Sequence, residues 1–198
     1  MSAAHPARSH PIEELTTITR RMLVALGEDP DREGLADTPR RVAESLAYLT
    51  DGYGVDPRQV VGSALYQHEG DDLVTVRNIP FYALCEHHVL PFFGRCHIGY
   101  LPAGKVIGLS KLPRLVDVFA HRLQLQERLT RQIAEAIDRV LRPQGVAVVM
   151  EARHLCVEMR GVEKGDIETV TSSLLGGFRD NAALRAEFLD LVRGNAKA

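Results

Sequence analysis

Tryptophan is missing from this chain, and cysteine occurs only at positions 85, 96 and 156. Three cysteines, an odd and low number, do not make a disulfide framework. The chain has to hold itself together through an ordinary apolar core. It also lacks an excess of charge of either sign: 24 basic side chains stand against 26 acidic ones, a net of −2, which excludes the basic footprint of a general nucleic-acid binder. A few local Arg and Lys residues still suffice for a small anionic ligand. No apolar run reaches the length of a membrane span, and residues 1–11 have no apolar segment of the kind found in a secretory leader. Internal repeats and low-complexity stretches are absent as well. What remains is a chain of 198 residues, 45% hydrophobic and 25% charged. That is enough for one well-cored domain, or one domain with a small extension. The expectation is a reduced, cytoplasmic protein with no membrane attachment.

Hydrophobic periodicity sets out the elements. Residues 1–11 read as a disordered tail. Ile12, Leu15, Ile18, Met22, Leu23 and Leu26 form a helical stripe that Gly27 ends. A second helix starts with Asp37 or Thr38 as its cap and Pro39 in its first turn, and shows Val42, Leu46 and Leu49 on one face. Residues 12–54 therefore make an N-terminal helical region, and residues 55–198 a second unit. Within that unit, residues 72–79 and 92–101 have strand composition, and 106–109 form a short apolar run. Residues 112–123 are helical in pattern. Residues 126–141 are more strongly so, with Leu129, Ile133, Ala136, Ile137, Val140 and Leu141 on one side. After the turn Arg142-Pro143-Gln144-Gly145 comes a long strand at 146–160, then a strand at 168–174, a break at Gly176-Gly177 and a closing helix at 182–192. Runs of strands joined by a helical pair predict an α+β fold rather than a regular βαβ wind.

Cys85-Glu86-His87-His88 follows the first strand region and precedes Pro91. Thiolate and imidazole are preferred zinc ligands, and a two-residue gap lets Cys85 and His88 reach one ion. Alone the motif is weak, because cysteine also serves as a small core residue and paired histidines as surface polarity. In the strand at 146–160, Val146, Val148, Met150, Ala152, His154 and Cys156 share one parity. His154 and Cys156 then point the same way, about 7 Å apart at the usual rise. Singly, each could be a satisfied core residue. Together with C-x-x-H, Cys156 completes a three-ligand set, which leaves a fourth position for water, as in a catalytic rather than a structural zinc site. A metal-bound water ionises near neutral pH. His87 and His154 remain as acid–base groups. Cys96 has no partner motif and reads as structural.

Two further clusters are ambiguous in isolation. Gly108-Leu109-Ser110-Lys111, with Arg114 one turn on, can cradle phosphate at a helix start. Equally, Ser110 can be a plain cap with two solvated basic residues beside it. Gln126-Glu127 opens the strongest helix. An amide beside a carboxylate matches the edge of guanine, but acidity at a helix start is favoured by the dipole anyway.

Taken together these strings resemble the GTP cyclohydrolase I family. The likeness is carried by Cys85-Glu86-His87-His88 with Pro91-Phe92, by His97-Ile98-Gly99-Tyr100-Leu101-Pro102 and by Gly108-Leu109-Ser110-Lys111. Gln126-Glu127-Arg128-Leu129-Thr130, His154-x-Cys156 and Met159-Arg160-Gly161-Val162 continue it, and it reaches from about residue 12 to residue 193. The resemblance implies a tunnelling fold: an antiparallel sheet with helices packed on one face, plus the N-terminal helical pair. It implies one Zn2+ per subunit on Cys85, His88 and Cys156, and GTP as substrate. His154, His87 and Ser110 take the catalytic roles. Gln126 and Glu127 hold the guanine, and Lys111, Arg114 and Arg160 hold the triphosphate, with Arg41 added from a neighbouring subunit. Zinc-activated water opens the guanine imidazole ring, formate leaves, and the ribose rearranges and recloses to 7,8-dihydroneopterin triphosphate. The implied assembly is a homodecamer of two pentamers. Glu44 and Glu163 are departures, each removing positive charge near expected triphosphate contacts. The competing reading is a non-catalytic tunnelling-fold binding or assembly protein with a structural zinc. Metal analysis is expected to find about one zinc per chain, the stoichiometry of one three-ligand site. A fully active, metal-free preparation would contradict the mechanism.

Overall fold

The computed structural model describes residues 11–194. The tail expected at 1–11 lies outside them apart from Pro11. The chain runs α1 (Ile12–Ala25), α2 (Thr38–Leu49), α3 (Pro57–Val61), β1 (Leu65–Gln67), β2 (Val74–Cys85), β3 (Pro91–Leu101), β4 (Lys105–Ile107), α4 (Lys111–Ala120), β5 (Leu123–Gln124), α5 (Gln126–Leu141), β6 (Gly145–His154), α6 (Leu155–Glu158), β7 (Thr169–Gly176), α7 (Gly177–Asp180) and α8 (Ala182–Arg193). The α+β expectation holds. None of these helices is long and apolar enough to cross a membrane.

Helix α5 forms where the apolar spacing placed it. Leu129, Ile133, Ala136 and Ile137 are fully buried and Leu141 nearly so. Arg142, in the left-handed region at φ 54°, ends the helix before Pro143. In α2, Pro39 sits in the first turn as expected, but Asp37 makes no capping bond. Its carboxylate instead accepts from Arg41 at 2.9 Å. Four short elements have no counterpart in the sequence reading: α3, β1, β5 and α7. With five residues or fewer, none is long enough for a periodicity to register.

Five strands form the main sheet in the order β5-β2-β3-β6-β7. All neighbours are antiparallel except β5, which lies parallel to β2 through Leu84↔Leu123 and Cys85↔Gln124. Helices α4 and α5 cover one face. Val146, Val148, Met150 and Ala152 of β6 point into that main core with Leu112, Leu115, Leu129 and Ile133. Near one end the opposite face is covered too, where α7 and α8 bring Phe178 and Phe188 against Ala147 and Val149. The continuous apolar run 146–150 thus reflects burial on both faces. A Cβ on Gly99 would lie 2.6 Å from the Phe188 ring, so this glycine makes room for α8.

The strand expected at 146–160 ends early. β6 stops at His154 and the chain turns into α6, so Cys156 does not continue the strand. The parity that would align His154 with Cys156 does not apply beyond 154.

A bulge in β2 between Val76 and Ile79 places Asn78 at φ 59°. The Asn78 N–H donates to Nδ1 of His97 at 3.4 Å. Nε2 of His97 is buried without a hydrogen bond, with the Glu151 carboxylate 3.8 Å away. Burial holds the His97 pKa below its ordinary 6.5, against the opposing pull of Glu151. The unfolded chain then takes up protons that the folded one refuses. The stability at stake is complete above about pH 6.5 and is lost as pH falls through that value towards the folded pKa. The urea midpoint is expected to drop between about pH 7 and about pH 5, and to drop less in His97→Phe. An equal drop in the variant would absolve His97.

Candidate functional site

The site is assembled where β2, β6 and α5 end or begin. Cys85 is the last residue of β2 and is buried. Its N–H donates to Leu90 O and its carbonyl accepts from Val89 N, both at 2.8 Å, which closes a tight reversal. The Glu86 N–H donates to Gln124 O at 3.0 Å and ties that reversal to β5. Val89 sits at φ 55°, a left-handed conformation that strains a β-branched residue. The reversal puts Cys85 Sγ 4.0 Å from His88 Nδ1. Cys156 arrives from α6, and the three ligand atoms lie within 4.8 Å of one another.

Two sulfurs and an imidazole nitrogen suit zinc, whose tetrahedral bonds of about 2.0–2.3 Å require donor atoms roughly 3.6 Å apart. Only a small inward movement of these side chains would bring them to that spacing. Burial raises the Cys156 pKa, and the nearby Cys85 sulfur raises it further. A cation between the two sulfurs removes that cost.

A cavity of about 410 Å³ opens beside this group, lined among others by Cys85, His87, His88, Glu127, His154, Cys156 and Arg160. His154 ends β6 directly opposite Phe92, and the two rings stack at 4.7 Å and 2°. Its Nε2 lies 2.8 Å from Gln126 Oε1. Burial lowers the His154 pKa, while Glu127 and Glu158 oppose the shift. His87 is exposed, edge-on to His88 with centroids 6.1 Å apart. Glu127 is exposed in the first turn of α5. These groups can bind a metal, accept from a flat polar ring and move protons.

Other expected residues fall elsewhere. Gln126 lines the cavity but is 2% exposed, and both ends of its amide are bonded within the chain. Ser110, Lys111 and Arg114 do not line the cavity. They sit at the start of α4, a helix about 15 Å long whose other end leads to β5. Ser110 makes no capping bond. Arg41 is exposed on α2, paired with Asp37. Of the two departures, Glu44 accepts from Arg40 at 2.8 Å, and Glu163 is exposed at φ 52° with its N–H bonded to Val157 O.

Several supporting residues were missed in the sequence. Arg128 pairs with Glu86 and also donates to Gln124 Oε1 and Leu123 O. Thr130, which is buried, and Thr171, which is half-buried, form a hydroxyl pair. A hydroxyl between Leu129 and Ile133 on an otherwise apolar helix face was the available signal.

An α+β domain with a Cys–His–Cys cluster that could hold a metal, beside a cavity that His87, Glu127, His154 and Arg160 also line, has the build of a metal-dependent enzyme. The particular family follows from likeness of sequence. The profile of GTP cyclohydrolase I matches residues 15–193. GTP cyclohydrolase 1 of Alkalilimnicola ehrlichii is 56% identical over 91% of this chain and 98% of its own. That of Gloeobacter violaceus is 51% identical over 98% of this chain and 91% of its own. The chain belongs to the GTP cyclohydrolase I family. Among solved structures, the apo form of archaeosine synthase QueF-Like aligns over 55% of this chain and 98% of that chain at 18% identity, with a TM-score of 0.47; the membership does not rest on it.

Cys156→Ser is expected to lose bound zinc and activity together, as removal of one of three protein ligands should. Cys96 is fully buried in the main core, where burial keeps its thiol protonated. Cys96→Ala is expected to keep the metal. Elemental analysis of the two purified variants makes the comparison.

Proposed function

We propose that this chain catalyses the GTP cyclohydrolase I reaction: hydrolytic opening of the guanine imidazole ring of GTP, release of C8 as formate, and rearrangement and closure of the ribose carbons to 7,8-dihydroneopterin triphosphate. The observation that carries it is the convergence of Cys85, His88 and Cys156 with His87, Glu127 and His154 on one cavity. Family membership supplies the substrate.

Cys85, His88 and Cys156 would hold zinc, which serves as a Lewis acid that makes a water nucleophile available near neutral pH. The Glu127 carboxylate accepts from the guanine N1–H and N2–H₂ and so sets C8 at a fixed distance from the cluster. His154 delivers a proton to the imidazole ring of the base as its C–N bond breaks. His87, on the open side of the cavity, serves the later proton transfers. Burial of His154 disfavours its charged form and eases release of that proton. Arg160, on the cavity wall, faces the triphosphate. An open cavity beside a three-ligand cluster favours this reading over a purely structural zinc.

The remaining contacts are assigned to neighbouring copies. Ser110, Lys111 and Arg114 lie off the cavity of their own chain, and Arg41 stands exposed on α2. A decamer of two pentamers, with sites at subunit boundaries, would bring them to the triphosphate and ribose of an adjacent site. We place the enzyme in the cytoplasm, where its substrate is made and its thiols stay reduced.

Zinc-loaded protein incubated with GTP is expected to release formate and, after oxidation, a fluorescent pterin. His154→Ala is expected to keep zinc and lose about 10²–10⁴-fold in turnover, the usual worth of a positioned acid–base group. Untouched GTP would defeat the assignment, and consumption of a different purine nucleotide would transfer it to that substrate.

A further inference from the structure

Gln126 occupies a place that its polarity makes costly: 2% exposed, in the first turn of α5 and beneath the sheet. Its amide nitrogen has three acceptors, Thr169 O at 2.8 Å, Met150 O at 3.1 Å and Thr171 Oγ1 at 3.1 Å. Two of these are backbone carbonyls, which can only accept. The amide therefore cannot be flipped, because Oε1 would then face two carbonyl oxygens.

The neighbouring hydroxyls have fixed directions too. Thr130 donates its one hydroxyl hydrogen to Gln126 O at 2.7 Å. The Thr171 hydroxyl, 2.6 Å from Thr130 Oγ1, must then donate to Thr130, which leaves its own lone pairs for Gln126. Every donor in the cluster is committed, and Gln126 Oε1 is left as an acceptor only.

That acceptor lies 2.8 Å from Nε2 of His154. Nε2 must carry the hydrogen, in the neutral ring and in the charged ring alike. The other ring nitrogen, Nδ1, has no hydrogen bond to any described residue and is not fully buried, and His154 lines the cavity. Stacking on Phe92 at 2° fixes the plane of the ring, and the Gln126 bond fixes its rotation within that plane.

We propose that Gln126 is a positioning residue that locks His154 in one orientation, so that Nδ1 and not Nε2 exchanges the proton with the substrate. The proposal rests on the reading of His154 as the proton-transfer group. It gives Gln126 a task that does not involve touching guanine, and it gives the Thr130–Thr171 pair the task of holding Gln126. The device resembles other catalytic histidines whose far nitrogen is bonded to an orienting group that sets the tautomer.

The test compares zinc-loaded wild type, Gln126→Met and His154→Ala. Methionine matches the length of glutamine but cannot accept from Nε2. Gln126→Met is expected to keep zinc and a GTP KM within about threefold of wild type, while kcat for formate release falls about 10²-fold or more. A KM raised tenfold or more with kcat unchanged would make Gln126 a guanine contact and overturn the proposal. Wild-type kcat and KM in Gln126→Met, with His154→Ala inactive, would overturn it and leave the underlying reading intact. Full activity in His154→Ala would remove that reading and this proposal together. Neutron diffraction of the zinc-loaded wild-type protein locates the ring hydrogens directly and does not depend on the variant folding. Hydrogen on Nε2 directed at Gln126 is expected, and hydrogen on Nδ1 alone would sink the idea.

Discussion

The pairing of β3 with β6 is the constraint on which the rest depends. Ten residue pairs in unbroken register run from Leu101↔Gly145 to Phe92↔His154. The side-chain period of a strand is two, so a slip of one residue would turn Val146, Val148 and Met150 out of the main core and His154 away from Phe92. Val146, Val148 and Met150 fill the main core while the smaller Ala147 and Val149 meet Phe178 and Phe188, so each face is packed for its own set. The apolar half of β6 thus holds its polar end in place, and the His154 ring inherits its position from hydrophobic packing several residues away.

Around that ribbon the site is made from chain ends. β2 stops at Cys85 and reverses, β6 stops at His154 and turns into α6, and α5 begins at Gln126. Strand and helix ends carry backbone groups that their own element does not use, and here these become the mortar: Glu86 N to Gln124 O, and the Thr169 carbonyl to the Gln126 amide. A buried polar network of this kind is tolerable only when every member is satisfied. The Gln126–Thr130–Thr171 cluster meets that condition, and it accounts for hydroxyls and an amide inside an otherwise apolar layer.

Much of this was legible in the sequence. The helix at 126–141 appears between its expected ends because Leu129, Ile133 and Ile137 leave no other face to bury. Strand composition located most of β3, and Gly27 and Gly176 mark breaks where the backbone adopts positive φ. C-x-x-H could be read locally, because a reversal of two intervening residues is short enough for spacing to imply proximity. Parity groups Cys156 with Cys85 and His88 on a strand face, whereas the structure brings it near them from a helical turn. The miss has a physical cause. Leu155, Val157 and Met159 alternate with Cys156, Glu158 and Arg160, a strand-like pattern that is out of phase with Val146–Ala152, and the pairing of β3 with β6 ends at Phe92↔His154.

By itself the sequence determined which chemistry the chain can do. The choice of thiol, imidazole, carboxylate and guanidinium is a matter of residue identity and survives any packing, and the family is carried by the same strings. Tertiary structure alone decided which of those groups work together within one chain. It gathered Cys85, His88, Cys156, His154 and Glu127 on one cavity and left Ser110, Lys111, Arg114 and Arg41 off it. It buried Gln126 and set its amide oxygen 2.8 Å from His154 Nε2. The reason lies in range: spacing along the chain reports neighbours within a turn or a strand, whereas contacts such as Gln126 with Thr171 exist only once a sheet and a helix have packed.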